Sequence, residues 1–263
     1  MKILFLGRKP YASYALEYLI SKKLEVLGVV APEEKNCHWP LLLRNTAKNY
    51  NIPTIENKDL YKKITNNRSN QSNSINIKCW DLVISSLYWW KIKEPLISGP
   101  KLGCINFHPA PLPELRGLAG YNIAIMEEFQ EYAASAHYVS ETIDTGDIIE
   151  VKKFNIDPKQ ETAYSLEQKT QKVMFKLFKD TINTLLKNKN LPRQKQGQGK
   201  YYNKNYYQEN MYILPNDTAD IIDKKIRAFY YPPHQGATIT LNNKEYTVIN
   251  NHILKEISEK NFE

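Results

Sequence analysis

Several things the sequence has little of narrow the reading first. Only three cysteines occur, Cys37, Cys79 and Cys104, far apart and odd in number, which suits no disulfide framework. The five histidines, at positions 38, 108, 137, 234 and 252, show no paired metal-ligand spacing, so no metal is expected. No apolar run approaches the roughly 20 residues a membrane helix needs. The opening run Ile3-Leu4-Phe5-Leu6 is too short for a signal-peptide core and lacks a cleavage site. The chain is therefore expected to be cytoplasmic, with no membrane partner. Gly7-Arg8-Lys9-Pro10 holds a single glycine, so it is neither a GxGxxG fingerprint nor a P-loop. A basic loop entering a helix can still bind phosphate; it also reads as a plain surface turn.

Acidic residues are in deficit: 28 Asp+Glu against 36 Lys+Arg leave a net charge of +8 over 263 residues. That excess fits an anionic partner, and it fits equally a bias that enriches Lys, Asn, Ile and Tyr together. A nucleic-acid-binding module is the reading from another class. The basic residues are scattered without a recognised nucleic-acid motif, so no nucleic-acid partner is expected. Against these shortages, 42% hydrophobic and 11% aromatic residues supply a core.

The pattern of elements predicts an α/β fold, a Rossmann-like and mostly parallel sheet with flanking helices. Strands are expected over Lys2 to Leu6, Val26 to Val30, Asp81 to Ser86, Gly103 to Phe107, Ser135 to Val139 and Ile148 to Phe154. Helices are expected from about Tyr11 to Lys22, Pro40 to Tyr50, Tyr121 to Glu128 and Thr162 to Leu186. The last has apolar residues at helical spacing and closes a first domain, residues 1–189. Residues 65–78 are Asn/Ser-rich and read as an exposed loop. His108 to Gly120 holds three prolines and two glycines and reads as irregular. Residues 190–210 read as a surface linker opening a small C-terminal appendage, 190–263. That appendage holds a helix capped by Asn216 or Thr218 and a β-hairpin turning at Asn242-Asn243. It is too small for a large core of its own and should pack on the first domain or on a second subunit.

The sharpest feature is Asn106-Phe107-His108-Pro109 at the end of an apolar strand. Residues i and i+2 on a strand share a face, so Asn106 and His108 face one cleft at the carboxyl edge, where open α/β sheets bind ligands. A later segment, Ile143-Asp144-Thr145-Gly146-Asp147, reads alone as a turn with Asp as turn former. Together these residues suit acyl transfer to an amine. Asn and imidazolium stabilise an oxyanion, and a carboxylate holds the His charged or takes a proton.

On these residues the chain resembles the N10-formyltetrahydrofolate-dependent formyltransferases. Their Asn-x-His-x-x-x-x-Pro stretch appears as Asn106, His108 and Pro113, and their Asp-x-Gly segment as Asp144-Thr145-Gly146. The resemblance covers roughly residues 1–190. It implies Asn106, His108 and Asp144 as catalytic residues and Leu112-Pro113 as a cis peptide. It implies a folate pocket walled by Ser85, Leu87, Tyr88 and Trp89 on one side and by Tyr138, Thr142 and Ile143 on the other. Paired Trp residues there are as often core. Arg8, Lys9, Tyr11, Pro109 and Arg116 are candidates for substrate contact. So are Tyr230 and Tyr231, whose rings either stack on a base or anchor the tail.

The stretch Arg227-Ala228-Phe229…Pro232-Pro233…Gly236-Ala237 resembles the entry to the post-catalytic domain of the tRNA and sugar enzymes. Only 26 residues follow Ala237, fewer than the barrel of the tRNA enzymes needs. The resemblance therefore implies the sugar N-formyltransferase branch. Its expected co-substrate is N10-formyltetrahydrofolate, and its acceptor is a dTDP-amino sugar, for surface-polysaccharide synthesis. A 4-amino-4,6-dideoxyhexose is preferred, with a 3-amino isomer and methionyl-tRNA as alternatives. Relatives are usually dimers, so a homodimer is implied. Asn203-Lys204 stand where relatives often carry Arg-Arg.

Overall fold

A computed structural model describes residues 1–33, 42–65 and 80–260. The first strand, β1 (Lys2–Gly7), is apolar and buried on both faces from Ile3 onward. It pairs in parallel with β2 (Glu25–Val30) and β4 (Leu82–Ser86), while β3 (Thr54–Ile55) extends β2 and β5 (Cys104–His108) extends β4. Next come β7 (Glu131–Tyr138) and β8 (Ile148–Asn155), both antiparallel. The seven-stranded order is β3-β2-β1-β4-β5-β7-β8. Five parallel strands and an antiparallel edge match the mostly parallel sheet that the sequence predicts.

Strand alternation divides the core. Ile3, Phe5, Ile84, Ile105 and Phe107 pack with α1 (Lys9–Ser21), α2 (Leu43–Asn49) and α5 (Ala163–Asn188). Leu4, Leu6, Val83 and Cys104 point the other way, against Trp80, Ile92, Leu96 and α3 (Asn57–Thr65). α1 begins with Pro10 in its first turn, where a missing N–H costs nothing. α5 begins with a capping box: the Ser165 amide donates to Thr162 Oγ1 at 3.0 Å, and the Thr162 amide donates to Ser165 Oγ at 2.9 Å.

A third cluster joins the two halves of the chain. Ala110, Leu115, Ile123 of α4 (Gly120–Met126) and Leu166 of α5 pack with Ile226 and Phe229 of α7 (Ala219–Phe229), and with Ala237 and Ile253. The appendage thus shares its core with the first domain. Its hairpin, β10 (Thr238–Leu241) and β11 (Lys244–Thr247), turns through Asn242 and Asn243, both left-handed at φ 49° and 61°. It continues into α8 (Asn251–Lys260), which the sequence reading did not foresee.

The segment expected to be a surface linker carries regular structure. Residues 190–210 contain β9 (Lys200–Tyr202) and α6 (Asn205–Asn210). β9 pairs in parallel with β6 (Leu115–Gly117), a short strand inside the segment expected to be irregular. Pro and Gly spacing conceals so short a strand, because its partner lies some 85 residues away in sequence. The loop expected over 65–78 falls almost wholly outside the described residues, as do Cys37, Cys79 and Pro40 at the start of the expected second helix. Among the described residues, no helix is long and apolar enough to cross a membrane.

Candidate active site

Asn106 and His108 leave β5 on the same face, as their spacing predicts, and register puts His137 of β7 opposite Asn106 and Ser135 opposite His108. The loop after β7 then carries Asp144 over this face. Its carboxylate oxygens lie 3.5 Å from His108 Nδ1 and 3.4 Å from His137 Nε2. The Gly117 amide donates to Asp144 Oδ2 at 2.9 Å. Asn106 Nδ2 lies 3.1 Å from His137 Nε2.

Partners set the tautomers. His108 Nε2 is 2.8 Å from the Leu115 carbonyl, which only accepts, so Nε2 carries a proton and Nδ1 faces the carboxylate. His137 Nδ1 donates in the same way to the Tyr138 carbonyl at 2.8 Å, leaving Nε2 to accept from the Asn106 amide. Burial alone would raise the Asp144 carboxyl. His108 and His137 in their protonated forms, together with the Gly117 amide, outweigh it, so its pKa lies well below the ordinary 3.8 and the group is an anion at neutral pH.

The backbone is bent to achieve this. Asp144 is left-handed at φ 55°, an uncommon state for a residue with a side chain. Two residues on, a Cβ on Gly146 would lie 1.9 Å from the Tyr138 carbonyl oxygen, so only glycine lets the loop close against β7. Ser135 secures the Pro-rich side: its hydroxyl donates to the Ala110 carbonyl at 2.7 Å and accepts from the Leu112 amide at 3.1 Å. Leu112-Pro113 is cis. The sequence reading missed Ser135 and His137. Their period-2 placement in a strand was visible, but that this strand lies antiparallel beside β5 was not.

Other predicted site residues divide. Ser85 pairs with Asn106 and shares its face. Tyr88 packs on the cluster that holds Trp80, Ile92 and Leu96, and its ring lies 4.9 Å from Trp89. Thr142 and Ile143 are exposed on the Asp144 loop. Tyr138 and Leu87 do not join them. Both pack in the core under α1 and α5, Tyr138 because it is one residue out of phase with His137. Its ring lies 3.4 Å from Arg193 instead.

Tyr11, a candidate for substrate contact, also packs inward. It is buried at 2%, donates to the Met174 carbonyl at 2.9 Å and packs edge-on to Phe175 and Phe178. Helical phase puts it with Ala15, on the face of α1 turned to α5. Lys9 pairs with Glu167, and both bond the Tyr231 hydroxyl. Tyr231 and Tyr230 pack edge-on to Tyr164, so the contacts favour the anchoring role. Arg116 turns to Gln196 and the Gly197 carbonyl. Pro109 is half-buried, and its carbonyl accepts from Tyr132 at 2.9 Å.

A cavity of about 360 Å³ opens at the carboxyl edge between Arg8, Pro32, Asn57, Lys58, Trp89 and Trp90. A larger one, about 530 Å³, lies at the opposite edge beside Lys101, Cys104 and Arg193. The Asp144 cluster and the smaller cavity share the edge where parallel sheets place ligands, so chemistry rather than size marks the site.

Residues 1–182 match the family described as Formyl transferase, a span containing Asn106, His108, His137 and Asp144. The chain belongs to the formyl transferase family. Its similarity to methionyl-tRNA formyltransferase of Bacillus mycoides is 28% identity over 199 residues. That match covers 72% of this chain and 60% of the relative, so the chain spans well under the relative's full length. A 4-N formyltransferase from Francisella tularensis shares the fold at a TM-score of 0.78 and 21% identity, over 95% of this family member and 96% of the other. An N-formyltransferase from Helicobacter canadensis, solved with folinic acid and dTDP-3-aminofucose, matches at a TM-score of 0.72 and 22% identity, over 92% and 85% of the two chains.

Proposed function

We propose that this chain transfers the formyl group of N10-formyltetrahydrofolate to the amine of a nucleotide-linked amino sugar, with a dTDP-linked 4-amino-4,6-dideoxyhexose as acceptor. The observation that carries the chemistry is the Asp144 carboxylate held between His108 and His137, with the Asn106 amide in the same hydrogen-bonded group. The acceptor amine attacks the formyl carbon, and its carbonyl oxygen becomes an oxyanion. One Asn106 amide proton is engaged by His137; the second serves the oxyanion, and His108 as imidazolium, with Nε2 still held by the Leu115 carbonyl, supplies the other donor. Asp144, directly or through water, takes the proton the amine loses. The bond from carbon to N10 breaks, the proton taken by Asp144 passes on to N10, and the products are a formamide and tetrahydrofolate.

The sugar acceptor is supported by reciprocal coverage. The likeness to the 4-N enzyme runs through the C-terminal appendage and nearly the full length of both chains, whereas the methionyl-tRNA relative is matched over 60% of its length. The fold does not separate a 4-amino from a 3-amino acceptor, since it resembles enzymes described for each. The folate is assigned to the face carrying Ser85, Tyr88, Thr142 and Ile143, beside Asn106.

The test mixes protein, N10-formyltetrahydrofolate and dTDP-4-amino-4,6-dideoxyglucose and follows tetrahydrofolate release by absorbance. Release that is lost in His108→Asn supports the full assignment. Release only with a 3-amino isomer moves the amine, release only with charged methionyl-tRNA replaces the sugar, and silence with all of them sinks the reading.

A further inference from the structure

Between Leu191 and Tyr202 the chain crosses the molecule almost wholly in solvent. Residues 192–200 are exposed with one exception, Gln196, which is half-buried. Its carboxamide is fully engaged. Nε2 donates to the Asp144 carbonyl at 3.0 Å and to the Gly146 carbonyl at 2.6 Å, the two carbonyls that bracket Thr145. Oε1 accepts from Arg116 Nε at 3.1 Å and Nη2 at 2.9 Å. The partners dictate which way the amide points, since carbonyls only accept and a guanidinium only donates. A single side chain thus joins the loop that carries Asp144 to β6, whose Gly117 amide binds the same carboxylate.

The backbone around Gln196 is held to the same loops. On one side Gln194 and Ile148 exchange amide-to-carbonyl bonds at 2.8 and 2.9 Å. On the other, Lys200–Tyr202 pairs with Leu115–Gly117, and the Leu118 amide donates to the Tyr202 carbonyl at 2.8 Å. A Cβ on Gly199 would lie 1.9 Å from the Pro113 carbonyl oxygen, so backbone packs directly on the Pro-rich loop. Gln196 therefore sits on a strap fixed at both ends, across a turn whose central Asp has a left-handed backbone.

We propose that Gln196 is a positioning residue for the Asp144 carboxylate, acting from this strap. The proposal rests on Asp144 being the proton acceptor. Gln196 touches neither His108 nor His137. It holds the two carbonyls that set the left-handed turn, and through Arg116 it fixes the distance from that turn to the Gly117 amide. A loosened turn swings the carboxylate away from the imidazoles. A misplacement on the order of 1 Å costs about 10²-fold in rate.

The experiment uses the full chain with Gln196→Glu, Gln196→Met and, for reference, Asp144→Asn. Gln196→Glu is isosteric and keeps an acceptor for Arg116 but loses both donations; Gln196→Met keeps length and loses every bond. Both are expected to lower kcat roughly 10- to 100-fold, with KM for donor and acceptor within about twofold. Imidazole ¹⁵N shifts of His108 and His137, recorded without substrate, are expected to move in both variants toward their Asp144→Asn positions. Wild-type shifts in both Gln196 variants, while Asp144→Asn moves them, would overturn this proposal alone. An Asp144→Asn protein with wild-type shifts and wild-type kcat would overturn the role of Asp144 and this proposal with it.

Discussion

The Asp144 cluster and the Lys9 cluster both lie at the carboxyl edge of the sheet, and each buries a carboxylate beside nitrogen groups. Around Glu167 the match is closed: one ammonium, one carboxylate and the Tyr231 hydroxyl bond one another, and Lys9 also lies 5.1 Å from the Tyr231 ring. Burial lowers the Lys9 pKa, and Glu167 opposes that shift. Around Asp144 the match is looser. The two imidazole nitrogens stand 3.4 and 3.5 Å away, and of the three groups only the Gly117 amide is at full hydrogen-bond distance. The first arrangement ties the C-terminal appendage to α1 and α5. The second keeps a charged acceptor beside groups able to serve a ligand. Buried charge on this edge is thus saturated in one cluster and only partly so in the other.

Substitutions can break that contrast. The largest effect is expected for His108→Asn, which should lower kcat by about 10³-fold while leaving nucleotide binding near wild type. Equal loss of binding and of the melting transition would make His108 structural, like the Lys9 group. Glu167→Gln should do the converse. Leaving the Lys9 ammonium uncompensated should cost about 3 kcal/mol of stability in urea unfolding, with kcat changed by less than about 10-fold. A kcat loss that exceeds the stability loss would put Lys9 in the substrate site.

Gly146→Ala sharpens the comparison further, because the added methyl must displace the Tyr138 carbonyl. Overpacking there should cost about 2 kcal/mol, and turnover should fall with it, since the Asp144 turn moves. A variant with native stability and turnover would show that the loop closes without a glycine. The smallest effect is the pH signature. With its native pKa depressed, Asp144 contributes its stability in full above its ordinary value of 3.8, and that contribution drains as pH falls toward the native value. Urea midpoints of wild type and Asp144→Asn should therefore converge as pH drops below 3.8. A gap that persists would place the stabilisation elsewhere.

Much of this was legible in one dimension. Continuous apolar runs mark β1, β2 and β4 because strands buried on both faces need no alternation. The i, i+2 spacing of Asn106 and His108 gives them one face, whatever the rest of the fold does. Asn242-Asn243 announces a tight hairpin because both residues tolerate the left-handed backbone it requires. Asp144 was legible only through a family resemblance; taken by itself, its segment is an ordinary turn. Tyr11 packs inward because helical phase sets it with Ala15 on the face turned to α5.

Other features had no local signature. His137 serves the site because β7 runs antiparallel next to β5, so its register sets Asn106 opposite His137. Gln196 sits in a Lys/Gln/Gly-rich stretch that reads as solvent-exposed linker, and nothing in that stretch encodes the carbonyls it meets some 50 residues away. The physical division is one of range. Periodicity, turn chemistry and the side-chain inventory act over a few residues and are written in the sequence. Which strand lies beside which, and which polar groups are thereby buried and must find partners, is decided only when the sheet assembles.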